Sequence, residues 1–384
     1  MGQFARALGQ SGLHAIAEVK RRSPSAGDLR PDADPARLAA EFAKAGAAAI
    51  SVLVDERFAG SLDDLRAARG ATEAPLLAKG FFSTEQHLVD VREAGADAAL
   101  LILRDLTDDH CAALLARARE LGLDTLVEAH DAAELDRAAR LDAPVIGINA
   151  RDLQTFAIDR RRQLELVTRA PRDRIVVAES GVHTRAQAAA AELSGANAIL
   201  VGTALMRAHD PPAKLRELLS RPLVKVCGLK RQEDVDAAVD AGADMCGFVL
   251  ADSPRRATAV LDVPDEVLSV AVFVGSPEET SADLVQLYES ENGKVRGRDA
   301  ALLRNGDEVA RVVDLPWEDE DASHLQRAGQ TSGRVMLAGR LGADNVRAAI
   351  EAVGPWAVDA SSRLERSPGI KDHDKVRAYV AAAR

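Results

Sequence analysis

Cysteine is scarce in this chain. Cys111, Cys227 and Cys246 are too few and too far apart for a metal cluster or a disulfide framework, and their scarcity fits a reducing, cytoplasmic setting. Long apolar runs are missing too. No stretch approaches the roughly 20 residues of a membrane span, and residues 1–13 lack the apolar core of a signal peptide, so a soluble protein with no membrane partner is expected. Positive charge is in deficit. A formal net charge of -11 argues against nucleic acid as a partner, while leaving room for a local basic pocket that holds a phosphate. Histidines at paired spacing are also absent: His87, His110 and His130 stand apart and receive no role. The acidic run WEDEDASH (317–324) reads as a solvated turn or helix start, so no metal is expected. No glycine-rich dinucleotide loop follows the first apolar run, which disfavours an open doubly wound sheet.

What is present is apolar bulk with a repeating pattern. The 384 residues, 47% of them hydrophobic, suffice for two domains. Apolar runs recur at HAIAEV (14–19), AAISVL (48–53), PLLAK (75–79), AALLIL (98–103), DTLVEA (124–129), PVIGIN (144–149), RIVVAE (174–179) and AILVG (198–202). Amphipathic segments of helical period lie between them, as at 35–45, 85–94 and 109–121. Continuous rather than alternating apolar strands imply a parallel sheet covered on both faces. Eight strand–helix units in about 200 residues predict a (β/α)8 barrel.

The runs end in polar groups: Glu18 with Lys20, Lys79, Glu128, Asn149 with Arg151, Glu179 with Ser180 and Gly181, and Gly202 with Thr203. Barrels carry their chemistry at the C-terminal ends of strands and in the loops that follow, so this density marks a catalytic mouth. The small residues of the last two ends stand where barrels commonly hold a phosphate, and the expected substrate is a phosphorylated small molecule.

The segments IAEVKRRSPSAG, ISVLVDERFAGSL, LLAKGFF, GADAALLIL, LVEAH, GINARDLQTF, VAESGV and LVGTALM resemble the indole glycerol phosphate synthase family over about residues 4–219. That family closes and decarboxylates carboxyphenylamino-deoxyribulose phosphate. The resemblance implies that Lys79 is the general acid for ring closure and that Glu128 is the acid or base for dehydration. It implies that Lys20 holds the substrate carboxylate and helps protonation, while Glu18, Asn149 and Glu179 orient the lysines and the substrate. Arg151 would line the anthranilate ring, and Ser23, Ser180, Gly181, Gly202 and Thr203 would meet the phosphate end. Lysines flanked by carboxylates suit these proton transfers. Two departures stand out. Gly80 follows Lys79 where the family usually has an acid, and only about a dozen residues precede the first strand, so a reduced lid or a start further upstream is expected.

A boundary is expected at Arg221-Pro222, giving domains 1–221 and 222–384, because a new apolar strand, LVKVCG, follows at once. AGAD precedes a strand in both halves, at 94–97 and 241–244, suggesting two barrels of one architecture. VKVCGL, GADMCGFVLADSPR, VAVFV, LVQLY, VMLAGRL and VDASSRLERSPGIKD resemble the phosphoribosylanthranilate isomerase family, which performs an Amadori rearrangement with one base and one acid. The resemblance places Cys227 as base, Asp314 as acid and Arg255 at the anthranilate end of the substrate. Cys246 is read as packing.

The runs AALLR (300–304) and EVARVVD (308–314) are separated by Asn305, Gly306 and Asp307, a hairpin signal. A parallel crossover cannot fit there, so the second barrel should be shortened and irregular around 290–330. Arg340 and Arg363 replace family glycines, leaving Gly339 for substrate binding. Long side chains there obstruct a phosphate or bind it. The implied whole is an α/β protein of two fused (β/α)8 barrels, a lyase and an isomerase of tryptophan biosynthesis. It would act on phosphorylated anthranilate–sugar substrates without a cofactor, as a monomer or homodimer. The alternative keeps the synthase and makes the second domain a non-catalytic scaffold or ligand-binding barrel.

Overall fold

All eight apolar runs of the first half become strands, because each is long enough to cross a barrel wall and apolar enough to be covered on both sides. The computed structural model describes residues 1–152, 155–291, 294–315 and 321–384. The strands are β1 (His14–Val19), β2 (Ala49–Leu53), β3 (Leu76–Lys79), β4 (Ala98–Ile102), β5 (Asp124–Ala129), β6 (Val145–Asn149), β7 (Ile175–Glu179) and β8 (Ala198–Val201). All pair in parallel, and β8 returns to β1 through His14↔Ala198 and Ala17↔Val201, closing the barrel. The chain divides into two compact units, the second beginning at Ser220 and also taking residues 184–187.

Alternation along each strand sorts the side chains. Ala15, Ala17, Ile50, Val52, Leu76, Ala78 and Val127 face the surrounding helices. Ile16, Ala49, Leu77, Ala98, Leu100, Leu126, Val145, Val177 and Leu200 point inward and pack on one another. The short helix α1 (Gln3–Leu8) adds Phe4, Ala5 and Leu8, all fully buried, to that inner cluster, so it plugs the N-terminal end of the barrel. Asp124, at the start of β5, holds the plug: its carboxylate accepts from the Gly2 N–H at 2.7 Å and the Ala5 N–H at 2.9 Å, two donors a helix start leaves unpaired.

The second unit closes a barrel by a different route. Its strands are β9 (Leu223–Cys227), β10 (Met245–Val249), β11 (Leu268–Val274), β12 (Leu284–Glu291), β13 (Lys294–Arg304), β14 (Asp307–Val313), β15 (Val335–Leu337) and β16 (Ala357–Ala360). They follow one another round the barrel in that order, and β16 returns to β9. β13 runs antiparallel to both neighbours while the other pairs are parallel. The hairpin expected at Asn305-Gly306 is present. Both residues are left-handed, φ 52° and 89°, the geometry that matches a two-residue turn to strand twist. Described helices in this unit are α11 (Gln232–Asp240), α12 (His324–Gln330), α13 (Val346–Val353) and α14 (His373–Ala383), taking α2 to α10 as the helices between Pro35 and Leu219 in the first unit. None lies between β10 and β14 among the described residues. The irregular second barrel is therefore a closed barrel with one reversed strand. Among the described residues no helix is long and apolar enough to cross a membrane.

Replacing Asp124 with Ala should destabilise the first barrel by about 1–2 kcal/mol, because two helix-start N–H groups lose their acceptor. Urea denaturation of the variant against the parent chain measures it.

Candidate active sites

Four polar strand ends meet in one level of the first barrel. Glu18, Lys79, Glu128 and Glu179 come from β1, β3, β5 and β7, alternate strands that share an interior layer. Lys79 is the hub: its Nζ lies 2.6 Å from Glu179 Oε2, 3.7 Å from Glu18 Oε2 and 3.9 Å from Glu128 Oε2. Lys20, just past β1, pairs at 2.6 Å with Glu18 Oε1. The intervening strands have to leave room. A Cβ on Gly147 of β6 would fall on Glu179 Oε1, and one on Gly202 after β8 would fall on Glu18 Oε1. Glu179 holds Lys79 directly, while Gly80, the residue after Lys79, carries no acid.

Burial in an apolar barrel makes these charges act strongly on one another. Burial disfavours the Lys79 ammonium, but Glu179, Glu18 and Glu128 together hold it above the usual lysine range. Burial would raise Glu128, yet the His130 imidazole paired with it and the charge of Lys79 bring it down to about 2. Glu179 is pushed up to about 8 by burial, with Lys79 pulling it down and Glu128 adding to the rise. Burial opposes Glu18's charge, and Lys20 and Lys79 outweigh that to lower it. The layer therefore sets an ammonium acid beside carboxylates whose proton affinities are pushed apart, Glu128 downward and Glu179 upward.

His130 belongs to this site, although its spacing gave it no role. Its Nε2 is 3.2 Å from Glu128 Oε1 and its Nδ1 is 3.0 Å from Glu134 Oε2. Burial would lower its pKa, but the two carboxylates raise it to about 9. The signal in the sequence was the i, i+2 relation to Glu128 at a strand end, which puts both on one face.

Above the layer a cavity of about 830 Å³ is lined by Glu18, Lys20, Ser23, Lys79, Glu128, Asn149, Arg151, Ser180, Gly181, Gly202 and Thr203. Glu179 reaches it through Lys79. Asn149 helps hold Glu128's pKa down, and its Oδ1 accepts the Arg151 N–H at 3.0 Å. The Arg151 guanidinium donates to Ser25 Oγ at 3.0 Å, and Ser25 lies 3.1 Å from Ser23 Oγ, tying the loop after β1 to the loop after β6. The rim holds a feature without a sequence signal, Arg57 stacked 3.6 Å over the Phe81 ring.

The second barrel gathers Cys227, Arg255, Asp314 and Gly339 round one cavity of about 900 Å³. Cys227 closes β9, and burial pushes its thiol up while Lys225 opposes the rise. Cys246 packs toward the helices, its thiol pushed up to about 12 by burial, outside the cavity. Arg255 is held by both oxygens of Glu365, Nε at 2.9 Å and Nη2 at 2.9 Å, and the buried Lys371 also reaches Glu365 at 2.9 Å. Asp314, just past β14, accepts from Tyr288 and from the Leu315 N–H, each at 2.7 Å, and burial raises its pKa. Sequence reasoning missed Glu365, Lys371 and Tyr288.

The two substituted arginines part company. Arg340 lines the cavity and keeps the left-handed backbone, φ 54°, that explains a glycine at this point. Arg363 instead pairs with Asp344 at 3.0 Å and donates to the Arg340 carbonyl at 3.2 Å. Residues 317–320 of the acidic run lie outside the described residues. Among the described ones no cluster of three or more His, Cys, Asp or Glu could hold a metal.

Residues 2–218 match the family model for indole-3-glycerol phosphate synthase. A synthase of that name from Nocardioides sp. is 49% identical over 209 residues, 54% of this chain and 80% of that protein. The chain belongs to the indole-3-glycerol phosphate synthase family. A second member, indole-3-glycerol phosphate synthase 2 of Streptomyces coelicolor, is 47% identical over 217 residues, 56% of this chain and 84% of its own. Beyond the synthase region, residues 318–382 match the model for N-(5'-phosphoribosyl)anthranilate isomerase. A multifunctional tryptophan biosynthesis protein of Schizosaccharomyces pombe is 31% identical over 99% of this chain, which spans 61% of that longer protein.

His130 makes the first unit's stability depend on pH. Its folded value of about 9 lies above the ordinary 6.5, so its contribution is complete below about 6.5 and is lost as pH rises through about 9. Between those limits the parent chain should lose on the order of 2–3 kcal/mol that a His130→Gln variant does not lose. Urea midpoints of both proteins from pH 6 to 10 provide the check.

Proposed function

We propose that the chain catalyses two consecutive steps of tryptophan biosynthesis. The second barrel converts phosphoribosylanthranilate to carboxyphenylamino-deoxyribulose phosphate, and the first closes that product to indole glycerol phosphate. The observation that carries this reading is the Lys79 layer, an ammonium acid among three carboxylates at a barrel mouth, in a chain whose second cavity faces a thiol and a carboxyl.

In the first barrel the ring carbon attacks the substrate carbonyl as Lys79 gives its proton to the carbonyl oxygen, which becomes a hydroxyl. The bond to the carboxylate carbon then breaks, carbon dioxide leaves, and the ring regains its aromaticity. Lys20 holds the carboxylate until that point. The hydroxyl departs as water and the adjacent CH2 of the new ring loses a proton, which forms the indole double bond, Glu128 exchanging the proton, while Glu18, Asn149 and Glu179 keep the lysines and substrate in place. Arg151 meets the anthranilate ring. Ser23, Ser180, Gly181, Gly202 and Thr203 surround the phosphate.

In the second barrel Asp314 protonates the ribose ring oxygen as its bond to the anomeric carbon breaks, leaving an iminium. Cys227, as thiolate, takes the proton from the neighbouring carbon. The resulting enol becomes the ketone as its hydroxyl proton is lost and the former anomeric carbon gains one. Arg255, fixed by Glu365, meets the anthranilate carboxylate. Gly339 and Arg340 meet the phosphate. Residues lining each cavity come from its own unit, so a monomer or a homodimer serves equally. The cytoplasm is the fitting location, since it keeps the Cys227 thiol reduced.

Phosphoribosylanthranilate supplied alone to the purified chain should be consumed, with indole glycerol phosphate accumulating. Consumption that fails while the synthase substrate is converted would overturn the isomerase half. Lys79→Ala should stop the flow at the intermediate, and Cys227→Ala should prevent consumption altogether. For the phosphate, Arg340→Ala should raise the isomerase KM about tenfold, the worth of one charge-assisted hydrogen bond. Arg363→Ala should leave it unchanged, and steady-state assays of both variants decide the point.

A further inference from the structure

A chain of hydrogen bonds crosses the interior of the second barrel and ends on Asp314. Lys225 of β9 is fully buried, with its Nζ 2.8 Å from Asp359 Oδ2 and 2.7 Å from Gln286 Oε1. An ammonium can only donate, so the oxygen end of the Gln286 amide must face it. The other end, Nε2, then donates to the Tyr288 hydroxyl oxygen at 2.9 Å. With its oxygen occupied as an acceptor, Tyr288 directs its own proton to Asp314 Oδ2, 2.7 Å away. The Leu315 N–H donates to the second oxygen, Oδ1. Each link is fixed by the one before, and Lys225 fixes the first.

We propose that Tyr288, oriented by Lys225 and Gln286, is a positioning residue for the isomerase acid, holding Asp314 so that its own proton faces the cavity and not the barrel interior. The proposal rests on the isomerase reading of the second barrel. Two protein donors already occupy the inner lone pairs of the carboxyl, so a proton carried by Asp314 sits on what remains. Asp314 and Tyr288 both line the cavity, and that is the open side. When the Asp314 O–H bond breaks and the ring-oxygen O–H bond forms, the carboxylate left behind is met by donors already in place, without rearrangement. Lys225 and Asp359 face the same group from β9 and β16, and Arg327 holds the Asp314 carbonyl at 3.1 Å.

Two substitutions in the full chain test this. Tyr288→Phe keeps the ring and removes the donor. Gln286→Glu keeps the size and the Lys225 pairing, but it replaces the donating end with an acceptor that draws the Tyr288 proton away from Asp314. Each should lower isomerase kcat by about tenfold or more with KM within about threefold of the parent, and the synthase reaction on its own substrate should be unaffected. Thermal unfolding identifies a variant that has lost its fold, and the other then decides. With the parent chain active, kcat within about twofold of the parent in either folded variant, or a loss confined to KM, would overturn the proposal and leave the isomerase reading intact. A parent chain that does not consume phosphoribosylanthranilate would instead overturn that reading, and this proposal with it.

Discussion

The first barrel depends on one ammonium facing three carboxylates inside a closed wall. Removing one partner from such a group leaves an uncompensated buried charge, at a cost of about 3–5 kcal/mol, so the set stays whole or fails together. Its demands spread outward. The strands between its members carry Gly147 and Gly202 because any side chain would meet a carboxylate. The levels beneath are Leu77, Leu126 and Val177, which keep water from screening the charges, and α1 seals the end below them. Chemistry at the mouth and a short helix at the opposite end are thus parts of a single electrostatic arrangement.

The second barrel solves the same closure with fewer residues. A regular unit between β12 and β14 would need a helix to bring the chain back before it could run upward again. The reversed β13 makes that return itself, through Asn305-Gly306. Both β12 and β14 therefore still end at the cavity, delivering Tyr288 and Asp314 within hydrogen-bond reach. The price is a stretch of wall, β11 to β14, without a described helix of its own.

Much of this was legible. Fully buried parallel strands are unbroken apolar runs, and a break such as LLAK-Gly80 or VVAE-Ser180 marks the point where a strand reaches the mouth. The hairpin could be read because Asn and Gly tolerate left-handed backbone in succession. Other features left no such trace. His130 shares a face with Glu128 by alternation, but its second partner, Glu134, lies on the next helix, and only the turn between them brings the two together. Arg363 stands where a glycine was expected, yet Asp344 draws its guanidinium aside, a tertiary outcome with no local pattern. Gln286 and Tyr288 share a face by simple alternation, but their meaning depends on Lys225, 61 positions away.

The two sites hold the groups proposed as their acids, Lys79 and Asp314, in opposite ways, and the reactions proposed for them explain why. Attack by an electron-rich ring on a carbonyl builds negative charge on oxygen and positive charge on the ring nitrogen. An ammonium beside carboxylates answers both, so the acid in the first barrel is cationic and its neighbours anionic. Opening a ribose ring leaves an iminium and needs a proton donor that ends as an anion close to it. A carboxyl whose pKa burial raises suits this, turning from neutral to negative as the cation forms. Lys225 fits the same logic from below. Held by Asp359, it orients the chain to Asp314 while its own charge is largely neutralised, so it adds little repulsion to the iminium above.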